Sequence, residues 1–306
     1  MVHIRVIGLG AMGASYAAKF QSVPQADIRV IAGGERAERL RRDGVTVNGQ
    51  RYDFNVVTPG EPAEPADLLL VGVKYTGLAQ ALRQMGGQIG DHTIVVSLLN
   101  GITSEAEIAA AYPACHPLLS ITVGVDAVRQ GQEIHYANLG KICFGEKTNQ
   151  APYSESVRWF ARLCDAAGLE YEIPSDMVKR QWWKFLVNTG VNQVTAILES
   201  PYAVVQQPGS PARELMLAAQ REVVAVAQGM DVGLDSSDID SWLDVLAGLG
   251  PAQFTSMAQD TIAHRPTETD IFSGSIVEMA ARLGLAVPVN TCLYQILKAK
   301  ELVWAQ

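Results

Sequence analysis

The chain has 306 residues, 48% of them hydrophobic and 18% charged, with a formal net charge of -8. That length exceeds a usual single domain and the balance is that of a compact folded protein, so two domains are expected and extended disorder is not. The acidic balance argues against a nucleic-acid surface. Cys115, Cys143, Cys164 and Cys292 show no CxxC and the histidines no HExxH, so no metal site is expected. No apolar run reaches the roughly 20 residues of a bilayer span, and together with the absence of a leader pattern this reads as a cytoplasmic protein.

Residues 3–7 form a β-branched apolar run that ends at Gly8, and residues 11–20 read as a helix rich in small side chains. A second strand is expected at residues 28–32 and a charged helix at 35–43. In that helix Arg36, Arg39, Arg41 and Arg42 alternate with Glu35, Glu38 and Asp43, the pattern of a solvated face. The continuous apolar run 68–73 suits a parallel strand buried on both faces. A helix at 78–85, a strand at 93–98 and a helix at 104–111 continue the alternation. Residues 118–128 and 131–144 read as strands joined by a turn and added antiparallel to the sheet. A helix at 154–167 and a short strand at 170–173 close this half. From Pro174 onward the pattern is helical, at 177–200, 212–228, 236–249, 256–263, 273–283 and 291–303. The fold expected is α/β, with a dinucleotide-binding domain over residues 1–174 and an all-α domain over 175–306.

Gly8-Leu9-Gly10-Ala11-Met12-Gly13 fits GxGxxG between the first strand and the first helix. In a Rossmann-type domain the first glycine makes the turn, the second lets backbone approach a pyrophosphate, and the third lets helix and strand pack closely. The pyrophosphate would sit at the helix N-terminus. After the second strand the chain reads Ala32-Gly33-Gly34-Glu35-Arg36. Arg36 could receive the 2′-phosphate of NADPH and Glu35 could serve the ribose of NADH; the two glycines and the arginine favour NADPH.

In the helical half, Lys184, Asn188 and Asn192 recur every four residues among Trp182, Phe185, Leu186, Val187, Val191 and Val194. Four helical residues turn about 400°, so the three polar groups share one face. Burying an amine and two carboxamides there is costly unless they reach backbone or solvent, or unless a ligand fills the space beside them. The apolar positions Leu215, Leu217, Val223, Val224 and Val226 read either as core or as the surface of a homodimer formed through the helical domain.

Taken with VGVKYTGLAQAL after the third buried strand, SLLNGI after the fourth, WWKFLVNTGVNQVTA, TSMAQDTIAHRPTETDIFSG and LGLAVPVNT, the chain resembles the ketopantoate reductase family over nearly its whole length. The resemblance implies a C-terminal domain like that of 6-phosphogluconate dehydrogenase and reduction of the ketone of a small 2-oxo acid, 2-dehydropantoate, by NADPH. It implies Lys184 as the catalytic acid, with Glu268 holding Lys184 and the substrate oxygen. Asn188 and Asn192 would line the substrate pocket, and Ser256 would bind the substrate carboxylate. Lys74 would lie near the nicotinamide ribose and Asn100 near the nicotinamide and substrate. Domain closure over the ligand is expected by the same analogy. Read without the resemblance, Ser256 is an N-cap, Glu268 a helix N-terminal charge and Asn100-Gly101 a turn.

The sequence also departs from the family pattern. Gly33 and Gly34 stand where an arginine is common after the second strand, Ser200-Pro201-Tyr202 where an asparagine is common, and Gln253 in place of another asparagine. The last two changes leave open a reductase of another 2-oxo or 3-oxo acid. A non-catalytic dinucleotide sensor is the reading of a different class, opposed by the retained Lys184, Glu268 and Ser256.

Overall fold

The computed structural model describes residues 1–305. The chain forms two compact units, Met1–Val178 and Lys179–Gln306. The first contains, in order, β1 (Val2–Ile7), α1 (Ala11–Phe20), β2 (Ala26–Ile31), α2 (Gly34–Asp43), β3 (Val45–Val47), β4 (Gln50–Tyr52), β5 (Asn55–Val57) and β6 (Leu68–Val71). It continues with α3 (Leu78–Met85), β7 (Ile94–Ser97), α4 (Ser104–Ala111), β8 (His116–Val123), β9 (Val128–Gln130), β10 (Glu133–His135), β11 (Lys141–Gly145), α5 (Glu155–Ala167) and β12 (Tyr171–Glu172).

The large sheet has the order β12-β11-β8-β7-β6-β1-β2-β5. Its strands from β5 to β8 run parallel, while β11 pairs antiparallel with β8. The unbroken apolar run of β6 follows from this placement: Leu68 and Leu70 enter the core beneath α1 and α5, and Leu69 and Val71 enter the core on the other face with Leu78, Ala81 and Met85. Burial on both faces removes the alternation that a solvated strand would show. The ends of α5 follow local chemistry, with the Ser154 hydroxyl accepting from Val157 N at 3.3 Å and Gly168 closing the helix in the left-handed region at φ +61°.

One expectation is corrected. The segment after β8 does not simply extend the large sheet. Its hairpin β9–β10 joins β3 and β4 in a separate sheet, order β4-β3-β10-β9, in which β10 lies parallel to β3. Strands β3, β4 and β5 have three residues each, too short for a period of two to register in the sequence. The small sheet packs on α1 through β3 and β10.

The division between units falls a few residues beyond the expected 174/175, inside the long helix α6 (Met177–Leu198). The start of α6 is tied to the first unit: Met177 N donates to Lys147 O at 3.0 Å, and its side chain packs with Ile121 and Cys143. The second unit continues with α7 (Ala203–Gln206), α8 (Pro211–Gly229), α9 (Ser236–Gly248), α10 (Ser256–Ile262), α11 (Ser273–Leu283) and α12 (Pro288–Trp304). From Phe185 to Ala196 helix α6 is buried almost all round, as a central helix is. Gly190 in its middle is explained by α8: a Cβ there would lie 2.6 Å from Gln220 Cγ. Of the apolar positions on α8, Leu217, Val223 and Val226 are core, whereas Leu215 is exposed. Among the described residues no helix is long and apolar enough to cross a membrane.

Candidate active site

In the first unit the chain leaves β1 for β2 on one side, and the later strands β6, β7 and β8 add on the other, so the order reverses at β1. Crevices at such reversals, beyond the C-terminal strand ends, are where open α/β sheets take ligands. The turn Gly8–Gly13 sits there. Gly8 has φ +90°, and a Cβ on it would fall 2.6 Å from the carbonyl carbon of Gly72; one on Gly13 would fall 2.0 Å from the Gly8 carbonyl oxygen. Gly72 closes the same knot, since its Cβ would lie 2.7 Å from that oxygen. Gly10 differs from all three. A Cβ there would meet only Gly72 O, at 3.4 Å, so the packing of the protein does not itself require glycine. Its bareness is useful to something that approaches from outside, as the backbone approach of a pyrophosphate demands. A dinucleotide therefore fits this turn, with Leu9, Ala11 and Met12 completing it.

The other expected cofactor residues lie on the same rim. Arg36 is in the first turn of α2, directly beyond β2. Its pKa is lowered, first by desolvation and then by repulsion from Arg39, although the residue as a whole is exposed. Lys74 follows β6 at the N-terminal edge of a 3₁₀ turn, and Asn100 follows β7 just before Gly101 at φ +90°. Because β6 and β7 are paired neighbours, Lys74 and Asn100 emerge side by side in the sheet order. Glu35 is exposed and forms no ion pair with Arg36 among the described residues.

The second unit contains Lys184, Asn188 and Asn192 on α6, Ser256 at the start of α10 and Glu268 before the 3₁₀ turn 269–271. Lys184 and Asn188 are half-buried, and Asn192 is only 6% exposed. Among the described residues neither the Asn188 nor the Asn192 carboxamide has a protein hydrogen-bond partner. The carboxamide sealed from solvent without a partner is that of Gln220 on α8, whereas the Asn192 polar atoms are not sealed in this way. Ser256 is not the N-cap of α10: that place belongs to Thr255, whose hydroxyl accepts from Ala258 N at 3.2 Å, and Ser256 is left exposed as the first helical residue. Glu268 is half-buried and precedes the 3₁₀ turn 269–271, where its side chain forms no cap.

Residues that the sequence did not single out hold these segments in place. Thr195 on α6 shares a buried 2.7 Å hydrogen bond with Thr255, the neighbour of Ser256. Gln193 on α6 accepts from the hydroxyl of Thr269, the neighbour of Glu268, at 3.0 Å and donates to Thr189 O at 2.7 Å. One helix thus carries the polar stripe on one face and anchors the Ser256 and Glu268 segments with another. The motif LAVPVNT proves to be structural. Asn290 is fully buried, and the Glu222 carboxylate accepts from Val289 N, Asn290 N and Asn290 Nδ2, each at 2.8 Å, fastening α12 to α8. The two departures from the family pattern in the helical half are adjacent, with Tyr202 N donating to Gln253 O at 2.9 Å and burial raising the Tyr202 phenol pKa.

Residues 4–149 match the family described as ketopantoate reductase PanE/ApbA, and residues 176–301 match its C-terminal domain. The chain belongs to the ketopantoate reductase family. This is a family of oxidoreductases, and the Rossmann-like first unit with a helical second unit is its architecture. Curated ketopantoate reductases similar to this chain include the 2-dehydropantoate 2-reductase of Pyrobaculum aerophilum, 28% identical over 97% of this chain and 98% of its own length. That of Streptococcus pyogenes serotype M3 is 24% identical over 98% of each. Among solved structures, the 2-dehydropantoate 2-reductase of Methylococcus capsulatus superposes with TM-score 0.85 at 22% identity, covering 100% of this chain and 98% of that one. A D-mandelate dehydrogenase solved with NADH gives 0.87 at 23%, covering 99% and 100%. At such identities these two structures establish the shared fold.

Proposed function

We propose that this ketopantoate reductase family member uses NADPH to reduce the ketone of a 2-oxo acid, 2-dehydropantoate, to the 2-hydroxy acid. The observation that carries the reading is Asn192, a nearly buried carboxamide with no protein partner among the described residues, on the helix face it shares with Lys184. A polar substrate supplies what that group lacks. The Gly8–Gly13 turn, with Arg36, Lys74 and Asn100, holds the dinucleotide, which when bound supplies hydride.

As hydride arrives at the ketone carbon, negative charge gathers on the carbonyl oxygen. The Lys184 ammonium stabilises that charge and delivers the proton that completes the alcohol. Glu268 keeps Lys184 oriented, Asn188 and Asn192 position the substrate, with Asn100 contributing to its placement, and the Ser256 hydroxyl binds its carboxylate. Thr255 performs the capping of α10, so the Ser256 hydroxyl is available for that role.

Turnover of a panel of 2-oxo and 3-oxo acids, run in parallel with NADPH and NADH, tests the proposal. The highest kcat/KM is expected for 2-dehydropantoate with NADPH. The pairing of Tyr202 with Gln253 favours a second reading, in which the same machinery acts on another oxo acid; that acid would then lead the panel. Nucleotide binding without reduction of any member would mark a sensor and end both readings. A homodimer through the helical unit belongs to the same proposal, supported by Ile296, Leu302 and Val303 exposed on α12. A Staphylococcus aureus ketopantoate reductase of the same fold is described as dimeric. Analytical ultracentrifugation showing a monomer at micromolar concentration would remove it.

A further inference from the structure

The small sheet brings an arginine to the dinucleotide turn. Arg129 lies on the edge strand β9, paired across its hairpin with Ile134 of β10. Its guanidinium donates from Nη1 to the carbonyl oxygen of Leu9 in the glycine turn, from Nε to Gly131 O at 2.8 Å, and from Nη2 to Gln132 Oε1 at 2.6 Å. These three bonds leave part of the donor fork unused. They also fix the Gln132 carboxamide with its oxygen toward Arg129, and Gln132 Nε2 is left buried without an acceptor.

The same sheet ties this hairpin to α2. Strand β3 follows α2 through Gly44 and pairs with β10, with Thr46 opposite Glu133 and Val47 opposite Ile134. The Arg129 guanidinium has its pKa lowered first by burial and then by repulsion from Arg36 and Arg39, which stand one helical turn apart on α2. Among the described residues none of the three arginines forms an ion pair. Glu35 and Glu38 share the helix without pairing to them, and Arg42 is already engaged with Asp43 at 2.7 Å. Three guanidiniums gathered without a carboxylate, beside a turn shaped for a pyrophosphate and beyond the strand whose end meets the adenosine ribose, form a seat for a further phosphate.

We propose that Arg129, with Arg36 and Arg39, binds the 2′-phosphate of the cofactor's adenosine, so that the small sheet serves as the part of the site that selects NADPH. This rests on the NADPH reading above. It assigns to the fold the cation that the sequence lacks at Gly33 and Gly34. Arg39, which reads in the sequence as part of a solvated face, becomes part of the site.

Calorimetric titration of the full-length protein with 2′,5′-ADP and with 5′-AMP tests the assignment without involving turnover. The wild-type chain is expected to bind 2′,5′-ADP at least about tenfold more tightly, since charge-assisted hydrogen bonds of about 1.5–3 kcal/mol correspond to a factor of ten or more. Arg129→Ala and Arg39→Ala should each remove about tenfold of the 2′,5′-ADP affinity while leaving 5′-AMP binding within about twofold, the latter also reporting an intact fold. Arg129→Lys, which keeps the charge and loses the fork, should fall between. Equal weakening of both nucleotides in Arg129→Ala would make Arg129 only a brace for the glycine turn. No weakening of either would remove it from the site. In both cases the NADPH reading would survive on the wild-type preference for 2′,5′-ADP. A wild-type preference for 5′-AMP would instead overturn that reading and this inference with it.

Discussion

The glycine turn of the first unit and the polar stripe of the second are both candidate ligand sites, yet they relate to the fold in opposite ways. At the turn, Gly8, Gly13 and Gly72 interlock so tightly that a methyl group on any of them would collide with the backbone of another part of the knot. Site and fold impose the same demand there. On α6, the Asn192 carboxamide has no protein hydrogen-bond partner among the described residues and is not sealed from solvent, so the fold does not itself require it. A polar group that the fold does not use points to a ligand, whereas residues the fold also requires say less about function.

Substitutions can break or sharpen this contrast. Lys184→Ala should have the largest effect on catalysis, lowering kcat by about 10² to 10⁴ while Tm and nucleotide affinity hold. Steady-state kinetics beside a thermal melt would check it, and unchanged turnover would take Lys184 out of the mechanism. Gly13→Ala should fail in the other direction. Its Cβ would sit 2.0 Å from a carbonyl oxygen, and a destabilisation of about 3 kcal/mol, read by urea unfolding, is expected together with loss of nucleotide binding. Gly10→Ala serves as its control, with nucleotide binding impaired and the unfolding midpoint unmoved.

Asn192→Leu probes the stripe. Removing a carboxamide that has no protein partner should leave stability unchanged within about 1 kcal/mol, while kcat/KM for the oxo acid falls. A loss of stability comparable to that of Gly13→Ala would mean that Asn192 serves the fold after all. The smallest effect belongs to Thr269→Val, which removes the hydrogen bond to Gln193 and should cost about 1 kcal/mol. Because Thr269 adjoins Glu268 in the chain, the kinetic signature expected under the proposed mechanism is a modest fall in kcat at unchanged nucleotide affinity.

Much of this organisation is legible along the chain. The run of β6, the helix periods, the glycine turn and the four-residue spacing of Lys184, Asn188 and Asn192 are local patterns, and local geometry turns them directly into strand, helix, turn and face. The family motifs add Ser256 and Glu268 as site positions, yet without the structure the helix cap falls to Ser256 rather than Thr255. Two apparently equivalent hydroxyls sit at adjacent positions, and only the backbone conformation at Thr255 decides between them.

The sequence by itself therefore determined the α/β half, the helical half, the dinucleotide turn and the polar stripe, because each is written within a few residues by periodicity or steric need. Tertiary structure alone decided what distant segments do for one another. It joined β3 and β4 to the β9–β10 hairpin in a second sheet, delivered Arg129 to Leu9, paired Thr195 with Thr255 and Gln193 with Thr269, and set Tyr202 beside Gln253. Such contacts depend on where the packed core carries each element, and a pattern with the range of a helical turn or a strand pair holds no record of that.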